Sequence, residues 1–150
     1  MFTIAFISAS GGAGKTTLAI NTAASLTIDG RKVLFIDFDP SAMATRVLLG
    51  RTFDDCNLKT LMKKLADYSR GYSRNIPIVS ECLHQHKIPG NTAAFHVLPG
   101  GNLDEISNDI KNVPNWGSQF KDFIDRKSTE MSYTYEGNIQ NCPNGIYKLL

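Results

Sequence analysis

This sequence contains few cysteines and tryptophans, and it has no strong excess of positive or negative charge. The 150 residues include three cysteines and one tryptophan, and the net charge is +2. Because the cysteines are odd in number and far apart, we expect reduced thiols in a reducing compartment rather than a disulfide framework. A charge so close to balance argues neither for nor against binding to nucleic acid, so any basic surface has to be local.

The sequence also lacks a basic leader and a long apolar run. The apolar residues at the N-terminus extend only from Met1 to Ile7, which is too short for a secretion signal, and no later segment is long enough to span a membrane. Residues 144–150 are too few for an amphipathic membrane helix. We therefore expect a cytoplasmic protein without membrane attachment, and 42% apolar residues are enough for one core.

A glycine-rich loop follows the first apolar run and precedes a helical pattern. Three glycines within four residues allow backbone N–H groups to turn toward a polyphosphate at a helix N-terminus. Lys15 can reach the β- and γ-phosphates, and the Thr16 hydroxyl can bind Mg²⁺. The predicted phosphate-binding residues are Ser10, Gly11, Gly12, Ala13, Gly14, Lys15, Thr16 and Thr17.

The next segments predict an α/β fold. Small and apolar residues recur at helical spacing from Leu18 to Leu26, and Asp29-Gly30 is typical of a helix end. Residues 33–36 are continuously apolar, as in a strand that is covered on both faces. Residues 3–37 therefore predict one βαβ unit with parallel strands.

Two carboxylates follow this second strand. Asp37 and Asp39 lie at the carboxyl end of a parallel strand beside the phosphate loop, where they are placed to hold Mg²⁺ through water and to orient an attacking water. Asp39 is the preferred candidate for the water because it lies just beyond the strand. Asp-x-Asp-Pro is also good turn chemistry, but the adjacent phosphate loop favours a site.

These motifs together resemble the ParA/MinD family of deviant Walker-A ATPases. The resemblance rests on Ser10–Thr17, on Phe35–Pro40 and on the downstream pair Ala44-Thr45. It implies a P-loop NTPase-like fold with ATP and Mg²⁺, in which Lys15 and Asp39 carry the catalytic roles. It also implies an ATP-dependent homodimer that binds nucleoid DNA without sequence preference, and a ParB-like or McdB-like adaptor that stimulates hydrolysis.

The sequence departs from the family pattern at three positions. Ser10 replaces the lysine that normally reaches the phosphates of the partner, which is similar to the McdA branch that positions carboxysomes. Ser41 replaces a glutamine. Asn141 replaces the Walker B acid within Tyr135–Pro143, where the apolar run is also lost.

Only about half of the expected family domain is present. We interpret residues 1–127 as a partial P-loop ATPase core and 128–150 as a degenerate or poorly ordered tail. The chain is then a fragment, a shortened or frame-altered product, or a small relative that binds nucleotide without turnover. An incomplete sheet would leave an unpaired edge, so we expect self-association if the chain folds alone.

Two other functions remain open. The first is an ATP-dependent metabolic enzyme of the cobyrinic acid diamide synthase or dethiobiotin synthetase type, although no convergent residues for a carboxylate substrate are evident. The second is a nucleotide-sensing pseudo-ATPase, which is consistent with Ser10 and Asn141.

The remaining patterns predict structural elements. Leu58, Leu61, Met62 and Leu65 indicate an amphipathic helix, and Trp116, Phe120, Phe123 and Ile124 indicate a buried helical face. Short strands are predicted at 76–79 and 94–98, and a helix at 103–111. Cys82, His84 and His86 are interpreted as part of a polar loop, because a zinc site would need a fourth ligand at compatible spacing.

Overall fold

The chain forms a five-stranded sheet with helices on both faces. A computed structural model describes residues 2–7, 12–134 and 146–149, and among these it describes the side chains of 3–7 and 12–126. The strands are β1 Phe2–Ile4, β2 Lys32–Ile36, β3 His84–Lys87, β4 Ala94–Leu98 and β5 Ile146–Leu149. The helices are α1 Lys15–Ile28, α2 Met43–Leu49, α3 Leu58–Ser69, α4 Ser107–Lys111 and α5 Trp116–Thr134.

The sheet has the strand order β1-β5-β2-β4-β3. The first four of these strands are parallel, and β5 pairs with β1 on one side and with β2 on the other. The predicted βαβ unit is confirmed in the direction of its strands, although β1 ends at Ile4 rather than near Ile7. The predicted α/β class is correct. Strands β1 and β2 do not pair with each other, because β5, from a distant part of the chain, lies between them.

The parallel sheet that the P-loop NTPase-like fold implies is extended at one edge, where β3 pairs antiparallel with β4. The cause is the connection between them, since residues 88–93 form a tight turn that is closed by a hydrogen bond from the Ile88 N–H to the Ala93 carbonyl, at 3.0 Å. A parallel arrangement needs a crossover of a dozen or more residues. The segment predicted as a polar loop around His84 and His86 is this edge strand, whose side chains alternate between half-buried and exposed.

Alternation along β2 explains how both faces of the sheet are covered. Leu34 and Ile36 belong to one apolar cluster, and Val33 and Phe35 belong to another. The first cluster includes side chains of α3 and α5, and the second includes side chains of α1 and α2. The prediction of a strand covered on both faces is therefore confirmed.

Most of the predicted elements are confirmed, and one is wrong. The four apolar residues of α3 are all buried, as are Phe120, Phe123 and Ile124 of α5, and β4 has the predicted bounds. The predicted helix at 103–111 is a short 3-10 helix, Leu103–Ile106, that continues into α4. The predicted strand at 76–79 does not form. A 3-10 helix spans Val79–Cys82 instead, and Pro77, which cannot donate to a ladder, precedes it.

The expectation of reduced cysteines is wrong for two of the three. Cys56 and Cys82 form a disulfide, with their Cα atoms 4.9 Å apart and a sequence separation of 26. Folding places the residue before α3 against the end of the 3-10 helix, a proximity that sequence separation does not indicate. Cys142 lies outside the described residues.

Helix α5 crosses the predicted boundary between a core at 1–127 and a tail at 128–150. Residues 135–145, which include Asn141 and the segment compared with Walker B, lie outside the described residues. The division into core and tail therefore stays a prediction. None of the helices in the described part of the chain has the length and apolar character that a membrane crossing requires.

Candidate nucleotide-binding site

The described part of the glycine-rich loop adopts the backbone that its glycines permit. Gly12 and Gly14 have φ angles of 76° and 74°, in the left-handed region that residues with a Cβ rarely adopt. Gly14 is the N-cap residue of α1, and its carbonyl accepts the first intrahelical hydrogen bond from the Leu18 N–H at 2.8 Å. Of the predicted loop residues, Ser10 and Gly11 lie outside the described residues.

The N-terminus of α1 is open to an anion. The N–H groups of Lys15, Thr16 and Thr17 precede the first intrahelical bond and have no carbonyl acceptor within the helix. Among the described residues no side chain caps this end, and the first turn of α1 contains no acidic residue. Together with the helix dipole, three available N–H groups and a lysine favour a negatively charged group such as phosphate.

Lys15 and Asp39 face each other across this helix end. The Lys15 Nζ lies 3.5 Å from the Asp39 Oδ2, and the two side chains are 32% and 28% exposed. Beside them is a cavity of about 330 Å³, within the range of small-molecule sites, whose wall also includes Phe6, Thr16 and Pro40. The structure therefore brings the predicted phosphate lysine, magnesium hydroxyl and water-orienting carboxylate to one cavity.

The residues after β2 hold the Asp39 carboxylate. The Ser41 hydroxyl and N–H both donate to Asp39 Oδ1, at 2.6 and 2.9 Å. These two hydrogen bonds, followed by the charge of Lys15, lower the pKa of Asp39 below its ordinary value of 3.8 against the opposing effect of partial burial. Asp39 is thus an ionised acceptor at neutral pH, with Oδ2 directed toward Lys15.

Asp37 is held differently, as a buried structural acceptor that is only 4% exposed. Its Oδ2 accepts hydrogen bonds from the Thr45 N–H at 2.8 Å and the Thr45 hydroxyl at 2.7 Å. Its Oδ1 accepts the Asp39 N–H at 3.1 Å, so that Asp37 fixes the backbone of the second carboxylate. Its predicted place in the Mg²⁺ shell stays a prediction, and these contacts add a positioning role.

Sequence reasoning missed the contact between Thr45 and Gly100. The buried Thr45 hydroxyl accepts the Gly100 N–H at 2.8 Å, and it thereby joins the ends of β2 and β4. Gly100 lies so close to Asp37 that an added Cβ would be 2.9 Å from the Asp37 carbonyl oxygen. The sequence signals were the pair Ala44-Thr45 and a Pro-Gly-Gly turn after β4, and a separation of 55 residues hides the contact between them.

Comparison with known proteins identifies the fold to which this geometry belongs. Residues 4–113 match the family described as the CobQ/CobB/MinD/ParA nucleotide binding domain. The chain belongs to this family. The virulence plasmid ParA family protein pGP5-D of Chlamydia psittaci is 41% identical to it over 64 residues, which are 42% of this chain and 25% of that protein.

Solved structures of the CobQ/CobB/MinD/ParA fold superpose on nearly the whole chain. Cobyrinic acid a,c-diamide synthase from Mycobacterium smegmatis, crystallised with ADP and magnesium, matches with a TM-score of 0.65 at 19% identity. A plasmid partition protein from Borrelia burgdorferi matches with a TM-score of 0.63 at 20% identity. Each comparison covers 98% of this chain, but only 49% and 54% of the solved chains. This chain therefore spans about half their length, and at such identities the likeness shows the fold.

Proposed function

We propose that this chain binds ATP with Mg²⁺ at the loop of residues 10–17 and acts as a ParA-like partition or positioning ATPase. The observation that carries the proposal is the meeting of Lys15, Asp39 and the open N-terminus of α1 at one cavity. A nucleoside triphosphate and its metal ion require a cation, an ionised carboxylate and N–H donors at the start of a helix.

The residues divide the task by their chemistry. The N–H groups of the glycine loop and of the first turn of α1 bind phosphate oxygens, and Lys15 supplies a positive charge to the terminal phosphates. The Thr16 hydroxyl and the Asp39 carboxylate offer the hard oxygen ligands that Mg²⁺ prefers, so the residues present fit this ion. The ion, when bound, offsets negative charge on the phosphates.

Asp39 is the proposed residue that orients the attacking water. Its lowered pKa keeps the carboxylate ionised as an acceptor. The hydrogen bond that the Ser41 hydroxyl donates holds the Asp39 side chain, and the hydrogen bond from the Asp39 N–H to Asp37 Oδ1 holds its backbone. Asp37 contributes to the site by accepting the Asp39 N–H, which fixes the backbone of Asp39. Its second proposed role is in the shell of the metal ion. The predicted role of Ser10 in phosphate binding belongs to the same proposal.

Family membership supports the wider cycle that we propose. In that cycle two chains associate when ATP and Mg²⁺ are bound, the dimer binds DNA without sequence preference, and a ParB-like or McdB-like adaptor stimulates hydrolysis. The proposed location is the cytoplasm, at the nucleoid. Assignment to the McdA branch rests on Ser10 alone and stays a prediction.

Binding of a fluorescent ATP analogue with Mg²⁺ tests the site. Lys15→Ala is expected to weaken binding by roughly a hundredfold or more, since the positive charge at the phosphates is lost. The matched control is Lys121→Ala, which removes an exposed lysine that pairs with Asp125 in α5. Equal affinities of the wild type and Lys15→Ala would overturn the site assignment.

Phosphate release separates the proposed function from its alternatives. Turnover that rises with DNA and a partner protein supports the partition cycle, whereas turnover that depends on a small carboxylate substrate supports a metabolic enzyme. Tight binding without turnover under all of these conditions supports a pseudo-ATPase.

A further inference from the structure

The disulfide between Cys56 and Cys82 lies at the start of α3. Cys56 immediately precedes Asn57, the N-cap residue of α3, and Cys82 is the last residue of the 3-10 helix Val79–Cys82. Cys56 is half-buried, whereas Cys82 is 4% exposed. One sulfur of the pair is therefore within reach of a small reagent and the other is enclosed.

The surroundings of both sulfurs also suit the reduced state. The Cys56 Sγ lies 3.2 Å from the Glu81 carbonyl oxygen, which is an acceptor for a thiol S–H. Cys82 belongs to the apolar cluster that includes Leu61 and Val79, where a buried thiol behaves as a small hydrophobic side chain. The Glu81 carbonyl beside Cys56 and the apolar surroundings of Cys82 can both accommodate a thiol, so reduction does not require a different fold.

The pair is connected to the end of β4 through the first residues of α3. The Leu58 N–H donates to the Pro99 carbonyl at 2.7 Å, and the next residue, Gly100, donates to the Thr45 hydroxyl. The Asn57 side chain accepts the Thr60 N–H at 2.9 Å and completes a capping box. A covalent bond at Cys56 therefore restrains the point where α3, the loop after β4 and the Thr45 contact meet.

We propose that Cys56 and Cys82 are a redox-responsive pair that exchanges with a low-molecular-weight disulfide such as glutathione disulfide, and that the bond orders the start of α3 and the loop after β4. The Cys56 thiolate attacks one sulfur of the small disulfide, forms a mixed disulfide and releases one small thiol. The Cys82 thiolate then attacks the Cys56 sulfur and releases the second small thiol. Two electrons pass from the cysteine pair to the small disulfide, and the two cysteine protons end on the two released thiols.

Alkylation and mass measurement test the exchange without any nucleotide. The full chain with Cys142→Ser, which retains only the proposed pair, is equilibrated in glutathione buffers of different ratios, quenched and alkylated. Two alkyl groups in reducing buffer and none in oxidising buffer, with the mass of a monomer, are expected. Two alkyl groups at every ratio, a retained glutathione adduct or a disulfide-linked dimer would each overturn the proposal.

Amide hydrogen exchange on the same chain tests the ordering. The Leu58 and Gly100 amides are expected to exchange roughly tenfold or more slowly in the oxidised form, while the Ala23 amide in α1 stays unchanged. Cys56→Ser in the Cys142→Ser background leaves the buried Cys82 in place and is expected to exchange at the reduced rate in every buffer. Equal Leu58 and Gly100 rates in both states of the parent chain would show that the bond does not order this region.

Discussion

At the scale of single residues, the candidate site depends on the different burial and hydrogen bonding of two nearby carboxylates. Asp39 stays near the surface, with one oxygen held by Ser41 and the other directed toward Lys15. Asp37 is buried and accepts hydrogen bonds from protein donors on both oxygens. The same residue type two positions apart thus provides a partly exposed carboxylate and a buried structural anchor, because only the Asp39 side chain reaches Lys15 at the start of α1.

Ser41→Ala is expected to raise the pKa of Asp39 toward its ordinary value, since the two largest causes of the lowering come from Ser41 and one is its hydroxyl. A group whose pKa is lowered on folding stabilises the protein above its ordinary pKa, and this contribution is lost as the pH falls through the folded value. Ser41→Ala therefore has less of this stabilisation above about pH 4.

A carboxyl NMR titration of Asp39 measures the shift directly. The control is Ser118→Ala, which removes an exposed hydroxyl on α5. An unchanged Asp39 pKa in Ser41→Ala would show that the serine hydroxyl is not its cause.

Thr45→Val is expected to destabilise the protein by about 1–3 kcal/mol, because it leaves the buried Gly100 N–H without its acceptor and removes one donor to Asp37. Thr45→Ser keeps the hydroxyl and loses one methyl group, which costs about 1 kcal/mol. Urea unfolding of the two variants measures the difference. If Thr45→Ser is as unstable as Thr45→Val, packing of the side chain rather than its hydrogen bonds is responsible.

At the scale of elements, the critical junction is where β2 and β4 end side by side. The two strands pair in parallel, and the ladder continues beyond β2 through a hydrogen bond from the Asp37 N–H to the Leu98 carbonyl. The Pro-Gly-Gly turn after β4 then packs under Asp37 and against the start of α3. Close backbone approach at this junction brings the first carboxylate, Thr45 and the first residues of α3 together.

Gly100→Ala is expected to destabilise the protein by about 1–3 kcal/mol, since its Cβ would lie 2.9 Å from a backbone oxygen that cannot move freely. Gly117→Ala is the matched control, because an added Cβ there has no heavy atom within 4 Å and the residue lies in α5. The control is expected to stabilise by up to about 1 kcal/mol through helix propensity.

Thermal unfolding of the two glycine variants tests the close approach. If Gly100→Ala has the stability of the wild type, the turn after β4 can move away from Asp37 without cost.

At the scale of the whole molecule, a mixed sheet separates two apolar clusters. The candidate site lies at the carboxyl ends of its parallel strands. Strand β5, from the last residues of the chain, lies between β1 and β2 and joins the first strand to the rest of the sheet. The cavity at the start of α1 opens where the phosphate loop meets the end of β2. The exposed apolar residues Leu18, Met43 and Val47 lie on α1 and α2, the helices on either side of this opening.

Light scattering of the purified chain is expected to give twice the monomer mass with Mg²⁺ and ATP, and the monomer mass with Mg²⁺ and ADP. The physical reason is linkage, since a nucleotide that binds the dimer more tightly than the monomer shifts the equilibrium toward the dimer. Lys15→Ala is expected to remain at the monomer mass in both nucleotides. A mass that ignores the nucleotide in the wild type would remove the dimerisation cycle from this chain.

Local patterns in the sequence were sufficient for the features that depend on neighbouring residues. The glycine spacing predicted the loop that leads into α1, continuous apolarity predicted β2, and periodicity predicted α3 and the buried face of α5. The phosphate-binding role of that loop stays a prediction. Each of these elements follows from short-range sterics or from a repeating apolar face, which a single segment contains in full. The two carboxylates after β2 were found for the same reason, since they directly follow a recognisable strand.

Only the tertiary structure decided the features that depend on distant residues. The contact between Thr45 and Gly100 spans 55 residues, and the pairing of Cys56 with Cys82 spans 26. Neither leaves a periodic trace, because a contact between two single residues that are far apart in sequence repeats no local pattern. Strand β3 was missed because a strand at an exposed edge needs few apolar residues. Its direction follows from the length of the turn into β4, and its pairing depends on the completed sheet.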